Sequence, residues 1–510
     1  MSNIVDKFVG FFSAEAALHR EINRASLENL KKHHASMNYD ATGTGRRGFK
    51  TNGDASVKAI ASNNLVVARK NMRDLYRNNS IIKSAVDAKS YHTVGDGIRP
   101  SIRNDAKSKA KKNKVKQVQR LVNLWSTSLK ADIYGMHNLF GQQFIGFKTM
   151  VSAGEMLIIR QRTLEPKSGL SLQIKMLEGD HLDHLKTCTL ENGNSVINGV
   201  EVDADESVVG YWIFDRNPSD IGFFSRLKNS SKRHDAANVI HMFDCERPGQ
   251  VRGLPKGLAS AAKAKNLEEF QDARLEQQKI AACFVGSVST AQGIGGATAA
   301  ADPLPQRAAP GQILRLGNNQ TMDFNTPPTV SGQHDFITEE LHQIASDWGI
   351  TYQALVGDLT QVNFTSGRMG WLDMHRKING DRNRIIIPLM LERIWEWLQE
   401  ALEVYGLPVR DMDCDWIPPR REMFDPTKEI GPLVKAIRAG LKPMQRALME
   451  QGDNPDVIMD QYKEWNEQSD ARNLIFDTDP RRVSGAGNTN PLPSEAVEDD
   501  EDENEKNEAA

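Results

Sequence analysis

The chain reads as an α+β protein, and three observations carry that reading. Its middle third holds segments with strand character. Long helical patterns flank that third on both sides. Strands and helices follow one another without the regular alternation of a doubly wound sheet. At 510 residues, 39 % hydrophobic and 26 % charged, the length suits several structural units of roughly 150 residues each.

Taken in order, residues 1–40 form a polar N-terminal arm marked by Phe8, Phe11, Leu18, Ile22, Leu27 and Leu30. Residues 41–53, rich in Gly and Arg, read as a loop. A helical pattern runs from about Asn64 to Val94 and stops at Gly95-Asp-Gly97 with Pro100 beyond. A second helix over Lys107–Leu129 opens with Lys107, Lys109, Lys111, Lys112, Lys114, Lys116 and Arg120. Strands are expected at Met156–Arg162, Ser171–Leu177 and Val239–Phe243, with a hairpin of Val200–Asp203 and Val208–Phe214.

Beyond Leu254 the character changes. One long helix runs to about Phe284, with Pro255 near its start. Leu267, Phe270, Leu275 and Ile280 make a thin apolar seam among charged residues, so this helix needs a neighbour to complete its burial. Residues 285–332 are rich in Gly, Ala and Pro, with short strands expected at Gln312–Leu316 and Thr321–Phe324. Ile337, Leu341, Ile344 and Trp348 stripe a second helix that ends at Gly349. A loop, Ile350–Thr365, leads to a long helix from Ser366, which Pro388 should kink or divide. Gly406 and Pro408 end it. A last helical unit spans about Asp425–Gln468.

Charge and chemistry exclude several classes. Residues 480–510 carry nine acids against three bases, net −6, leaving a body near +3 in a chain of net charge −3. Such a tail cannot fold alone, and such a body is not that of a tight nucleic-acid binder. Four dispersed cysteines form no C-x-x-C pair and suit a reducing compartment. No apolar stretch is long enough for a membrane span. Gly43-Thr-Gly-Arg-Arg-Gly48 matches the dinucleotide fingerprint in letters but lacks the strand and helix around it. Asp180, His181, Asp183 and His184 lie within five residues, and a metal-dependent nuclease would use them. Following a strand, however, they read as a polar turn. No phosphate-binding loop or nucleophile elbow occurs, so no enzyme and no cofactor is expected.

Several runs, met in one order over about residues 39–465, resemble the lambda-type portal proteins of tailed bacteriophages. They are Tyr39-Asp-Ala41, Gly45-Arg-Arg47, Ala68 to Ser80, Gly95-Asp-Gly-Ile-Arg-Pro100, Val151-Ser-Ala-Gly-Glu155 and Leu172-Gln-Ile-Lys-Met-Leu177. Val239-Ile-His-Met-Phe243 and Arg247-Pro-Gly-Gln-Val-Arg-Gly-Leu-Pro255 follow, then Ile350 to Leu359, Asn363-Phe-Thr-Ser-Gly-Arg368, Phe424 to Glu429, Ala439-Gly-Leu441 and Gly452-Asp453. The basic helix and the acidic tail stand outside the pattern.

The resemblance implies a homododecameric ring at one capsid vertex, without catalytic activity. Its central channel would pass double-stranded DNA during terminase-driven packaging and again during ejection. The implied partners are further copies of the chain, the terminase large subunit, the major capsid or scaffold protein and a neck or head-completion protein. It implies assembly in the host cytoplasm and residence in the virion; another head–tail connector or scaffold is the alternative. The implied anatomy is an arm (1–40), a wing (41–252), a stem helix (253–284), a clip (285–332), a second stem helix (333–349), a tunnel loop (350–365), a tunnel helix with return to the wing (366–420), a crown (421–478) and the acidic tail (479–510). Within the tunnel loop and just beyond it, Gln361, Asn363, Thr365, Ser366 and Arg368 are the expected contacts to DNA, four neutral groups and one cation.

Overall fold

The computed structural model describes residues 57–104, 109–163, 169–220, 230–283, 287–290, 320–323, 333–420, 423, 425–476, 479 and 481. The arm, nearly all of the acidic tail, most of 285–332 and the expected strand Gln312–Leu316 lie outside the described residues. The chain divides into two units, 1–60 and 61–510.

The helical pattern before Val94 is two helices rather than one, α1 (Val57–Asn78) and α2 (Ser80–Val94). Asn79 separates them: its side-chain oxygen accepts from the N–H groups of Ile81 and Ile82, capping α2. Its amide nitrogen donates to Glu268 at 3.0 Å. Strand β1 (Arg99–Arg103) follows, then the basic helix α3 (Lys109–Thr127) and α4 (Leu139–Ala153).

Helix α4 runs directly into β2 (Glu155–Arg162), the centre of a three-stranded antiparallel sheet with β3 (Leu172–Glu178) on one side and β9 (Val239–Phe243) on the other. Phe147, Met150 and Val151 of α4 share a core with Met156, Ile158, Ile174 and Ile240 of that sheet. The expected hairpin forms as β6 (Val200–Val202) against β7 (Val208–Phe214). It sits inside a five-stranded antiparallel sheet with β4 (Cys188–Thr189), β5 (Ser195–Ile197) and β8 (Ser231–Asp235). A second core, including Leu157, Leu177, Leu182, Tyr211 and Ile213, lies between the two sheets.

Helix α5 (Leu258–Cys283) starts later than the sequence suggests. Gly257, the residue before the helix, has φ +73°, and a Cβ on it would lie 2.2 Å from the Trp348 ring. The chain therefore turns sharply there, and Pro255 precedes the helix instead of opening it. Ala264 and Leu267 are buried, while Phe270 and Leu275 remain exposed on a helix charged on most faces. Strands β10 (Ser287–Thr290) and β11 (Gln320–Asp323) pair antiparallel, one residue earlier than expected for the second.

Helix α6 (Gln333–Trp348) buries the Leu341–Ile344–Trp348 stripe. The segment read as a loop contains a five-residue helix, α7 (Tyr352–Val356). Helix α8 (Phe364–Asp381) begins two residues before Ser366. It passes without a break through a π-helical stretch, Arg382–Leu391, into α9 (Glu392–Val404). Pro388 lies inside that stretch. It removes one N–H, and the wider π turn accommodates the loss without the expected division. The chain then returns as β12 (Asp413–Ile417), paired with β1 so that Arg99 faces Ile417 and Ser101 faces Asp415. The last helical unit is three helices: α10 (Pro426–Arg438), α11 (Met444–Glu450) and α12 (Pro455–Ala471).

Candidate functional site

The segment 350–368 is built from short-range caps fixed to a rigid base. Thr351 caps α7 by accepting from the Ala354 N–H, and Gly357 ends it in the left-handed region at φ +79°. The Asp358 carboxylate accepts from the N–H and hydroxyl of Thr360 at 2.9 and 2.7 Å; the backbone bond, the larger influence, and the hydroxyl bond hold its pKa down. Ser84 of α2 donates to the Leu355 carbonyl at 2.6 Å, tying α7 down. Tyr352 stacks on His342 of α6 with ring centroids 4.4 Å apart.

Below this tip, α8 is anchored on α2. The buried Arg382 guanidinium donates to the carbonyls of Thr93 and His92 at 2.7 and 3.0 Å, and Lys89 pairs with Asp381 at 2.6 Å. Burial, then the nearby Arg382 charge, pushes the His92 pKa down. Met374 and Ile378 are buried, and Trp371 packs edge-on against both His92 and His375.

The five residues expected to meet DNA separate into two groups. Asn363 and Ser366 form a capping box: the Asn363 side chain accepts from the Ser366 N–H at 2.8 Å, and the Ser366 hydroxyl accepts from the Asn363 N–H at 3.2 Å. Their polar atoms therefore start α8. Gln361, Thr365 and Arg368 are exposed, and they have no hydrogen-bond or ion-pair partner among the described residues. Asp358 and Asp373, the two acids within reach of Arg368 in sequence, are engaged elsewhere, Asp373 with Lys377 at 3.0 Å. Thr365, expected in the loop, thus lies with Arg368 in the first turns of a helix. Arg376, which sequence reasoning missed, is also exposed and without a partner among the described residues. It lies eight residues beyond Arg368, with exposed Leu372 midway, a spacing legible as one side of a helix.

The four residues a metal-dependent nuclease would use do not converge, and the described residues hold no cluster able to bind a metal. Asp180 pairs with Arg73 at 2.5 Å and Arg69 at 3.3 Å. Asp183 accepts from the Ser231 hydroxyl at 2.6 Å, and His181 bonds the Glu178 carbonyl at 3.2 Å.

Asp180 belongs instead to a buried ionic knot centred on Glu155. The Glu155 carboxylate, wholly buried, receives Arg252, Arg69 at 2.6 Å, His241 at 3.0 Å and the Gly253 N–H at 3.0 Å. Arg252 also donates to the carbonyls of Asn198 at 2.6 Å and Gly179 at 3.1 Å. Burial opposes the charge on Glu155, but Arg252, Arg69 and the bond from His241 hold its pKa well below the usual carboxylate range. Burial, then the two guanidiniums, pushes the His241 pKa down. Gly253 and Gly154 touch backbone to backbone: a Cβ on Gly253 would lie 2.2 Å from the Gly154 carbonyl oxygen. Runs separated by about a hundred residues in the sequence, around 69, 155 and 252, thus meet at one carboxylate.

All three runs lie within the part of the chain that is like known proteins. A family described as phage portal protein, lambda family, matches residues 43–382. The probable portal protein of Halomonas phage phiHAP-1 is 25 % identical over 361 residues, covering 67 % of this chain and 68 % of that protein. Portal protein B of Escherichia phage lambda is 22 % identical over 270 residues, covering 46 % of this chain and 51 % of its own length. A solved structure of the neck of a native gene transfer agent particle matches with a TM-score of 0.44 and 14 % identity, over 75 % of this chain and 94 % of that chain. With two thirds of its length matched by the family, the chain belongs to the lambda family of phage portal proteins, the head–tail connectors of phage particles.

Proposed function

We propose that copies of this chain close into a dodecameric ring in the virion, and that α7, α8 and the turn between them line its channel. Double-stranded DNA would pass this tip during packaging by the terminase and again during ejection. The capsid or scaffold protein and a neck protein would bind the ring's outer surfaces. The observation that carries the reading is the tip itself. Its backbone is held by caps, its base is pinned by Arg382 and Lys89, and yet Gln361, Thr365 and Arg368 are left exposed.

A conduit needs this combination. Each Lys or Arg held on a phosphate releases counterions and adds affinity, so a strongly basic lining would stall the strand. Neutral donors and a few cations per subunit guide it without reading sequence. The exposed apolar residues of α5 and α10–α12 support self-assembly, because they supply surface that a single copy leaves open to water.

The test is complementation of a portal-deficient phage by two variants. One lacks residues 358–363; the other carries Thr365→Ala and Arg368→Glu, which leave the capping box intact. Both are expected to assemble heads but to reduce the fraction filled with DNA at least several-fold, as counted by electron microscopy. Normal filling and retention with both variants would overturn the assignment.

A further inference from the structure

Two features stand out for their charge: the basic first half of α3, and the acidic C-terminal tail, which lies beyond the residues the family matches. Residues 109–127 contain Lys109, Lys111, Lys112, Lys114, Lys116 and Arg120 and no acid. Lys112, Lys116 and Arg120, spaced four apart, stand on one side of a cleft of about 580 Å³ between α3 and the start of α12. Val115, Val457 and Met459 supply apolar lining. Lys116 pairs with Asp460 at 2.6 Å across this cleft. Lys112 and Arg120 are exposed and have no ion-pair partner among the described residues.

We propose that this cleft is the docking site of the chain's own acidic tail. Three observations select this occupant. The first is charge complementarity: nine acids stand between Glu495 and Glu508 against Lys506 alone. The second is the point of departure. Arg481 pairs with Asp470 at 3.3 Å and Asp479 at 2.8 Å, so the chain leaves from beside the end of the helix whose beginning forms the cleft.

The third is reach. Ten residues of α12 separate Asp470 from Asp460, roughly 15 Å at 1.5 Å per residue. A coil of the 14 residues from Arg481 to Glu495 spans roughly 20 Å. A span matched to its tether gives an effective concentration on the order of millimolar. Even a weak tail–cleft contact is then largely formed in the intact chain. Val497, among the acids, can meet the apolar wall. The docked tail covers Lys112 and Arg120 on the α3 side of a cleft whose α12 side carries Asp456 and Asp460, and the cover weakens as salt screens it.

The probe is a fluorescent peptide of residues 491–510, followed by anisotropy at low salt. It is titrated against the full chain and against a full-length variant with the nine tail acids changed to Asn or Gln. The variant is expected to bind the peptide at least tenfold more tightly than the unaltered chain, whose own tail competes. Adding Lys112→Glu and Arg120→Glu to the variant should abolish binding, with unchanged thermal unfolding showing that the fold is intact. Equal binding by the two chains, no binding by the variant, or binding that survives the two charge reversals would each overturn the proposal. Should the charge reversals unfold the chain, Lys112→Gln and Arg120→Gln provide the same comparison with a smaller expected loss.

Discussion

The knot around Glu155 and the three helices that follow Asp425 stand at opposite extremes of the molecule. At Glu155 every charged group is buried and matched, and two guanidiniums, one imidazole and one backbone N–H converge on a single carboxylate. In α10 no residue is buried, and Leu441, just beyond it, is 82 % exposed. Ile430, Val434, Met459, Tyr462 and Trp465 are likewise open to water. The first region is complete within one polypeptide. The second leaves apolar surface uncovered by the described residues. A ring-forming subunit needs both, a wall that keeps its shape and a surface left for its neighbours.

The comparison is broken most severely at Glu155. Glu155→Ala strands Arg252 in the interior without its counter-ion and leaves Arg69 with Asp180 alone, a loss of about 3–5 kcal/mol. Chemical denaturation should show the chain largely unfolded at low denaturant. A midpoint within error of the parent would mean that the knot holds nothing together. Gly253→Ala forces a Cβ onto the Gly154 carbonyl and should cost about 1–3 kcal/mol by overpacking, read in the same titration.

Acid should act on the same region in two stages. His241 is held below its ordinary pKa, so the unfolded chain binds its proton first, and stability falls as pH drops below about 6.5. Glu155 is held well below its ordinary value. Its contribution is therefore whole above about 4.5 and is lost as pH falls further. Each group contributes a slope of at most about 1.4 kcal/mol per pH unit. His241→Gln should remove part of the upper slope and leave the lower one, as followed by unfolding midpoints from pH 7.5 to 4.

The outward region should answer the opposite way. Ile430→Asp with Val434→Asp lies on an exposed face and should change folding by no more than about 0.5 kcal/mol, while weakening self-association at least tenfold in mass photometry. Rings of unchanged abundance would place the subunit contact elsewhere. Arg368→Ala should be the mildest of all, neutral in both folding and assembly and visible only in the filling of heads.

Much of the sheet region was legible because its strands are apolar and separated by turn residues; β2, β3 and β9 fall within two residues of their expected ends. Helix α4 was not legible. Its run Leu139–Ala153 holds Gly141 and Gly146 and has no continuous polar stripe, since it is buried between α2 on one side and the sheet on the other. Strands β1 and β12 were missed because each is five residues long and its partner lies some three hundred residues away. Asn79 shows the limit of periodicity. The apolar pattern continues across it, and the break comes from a cap reinforced by Glu268, a residue no local window contains.

At the candidate site the sequence also carried a local role that went unread. Asn363 and Ser366 carry the N-x-x-S spacing of a capping box just before a helix, which identifies them as helix starters. Gln361, Thr365 and Arg368 are the proposed contacts whose side chains the caps leave unused. The knot was present in the sequence only as scattered runs, and nothing in the spacing of Arg69, Glu155, His241 and Arg252 announces that they share one carboxylate.

The most direct measurement is the shape and mass of the purified chain, by negative-stain imaging together with mass photometry. A closed ring with a central hole and a mass near twelve times 56.9 kDa is the expected result. A chain that stays monomeric or dimeric at every concentration and salt tested would contradict the account, because the exposed faces of α5 and α10–α12 would then have no neighbour to meet.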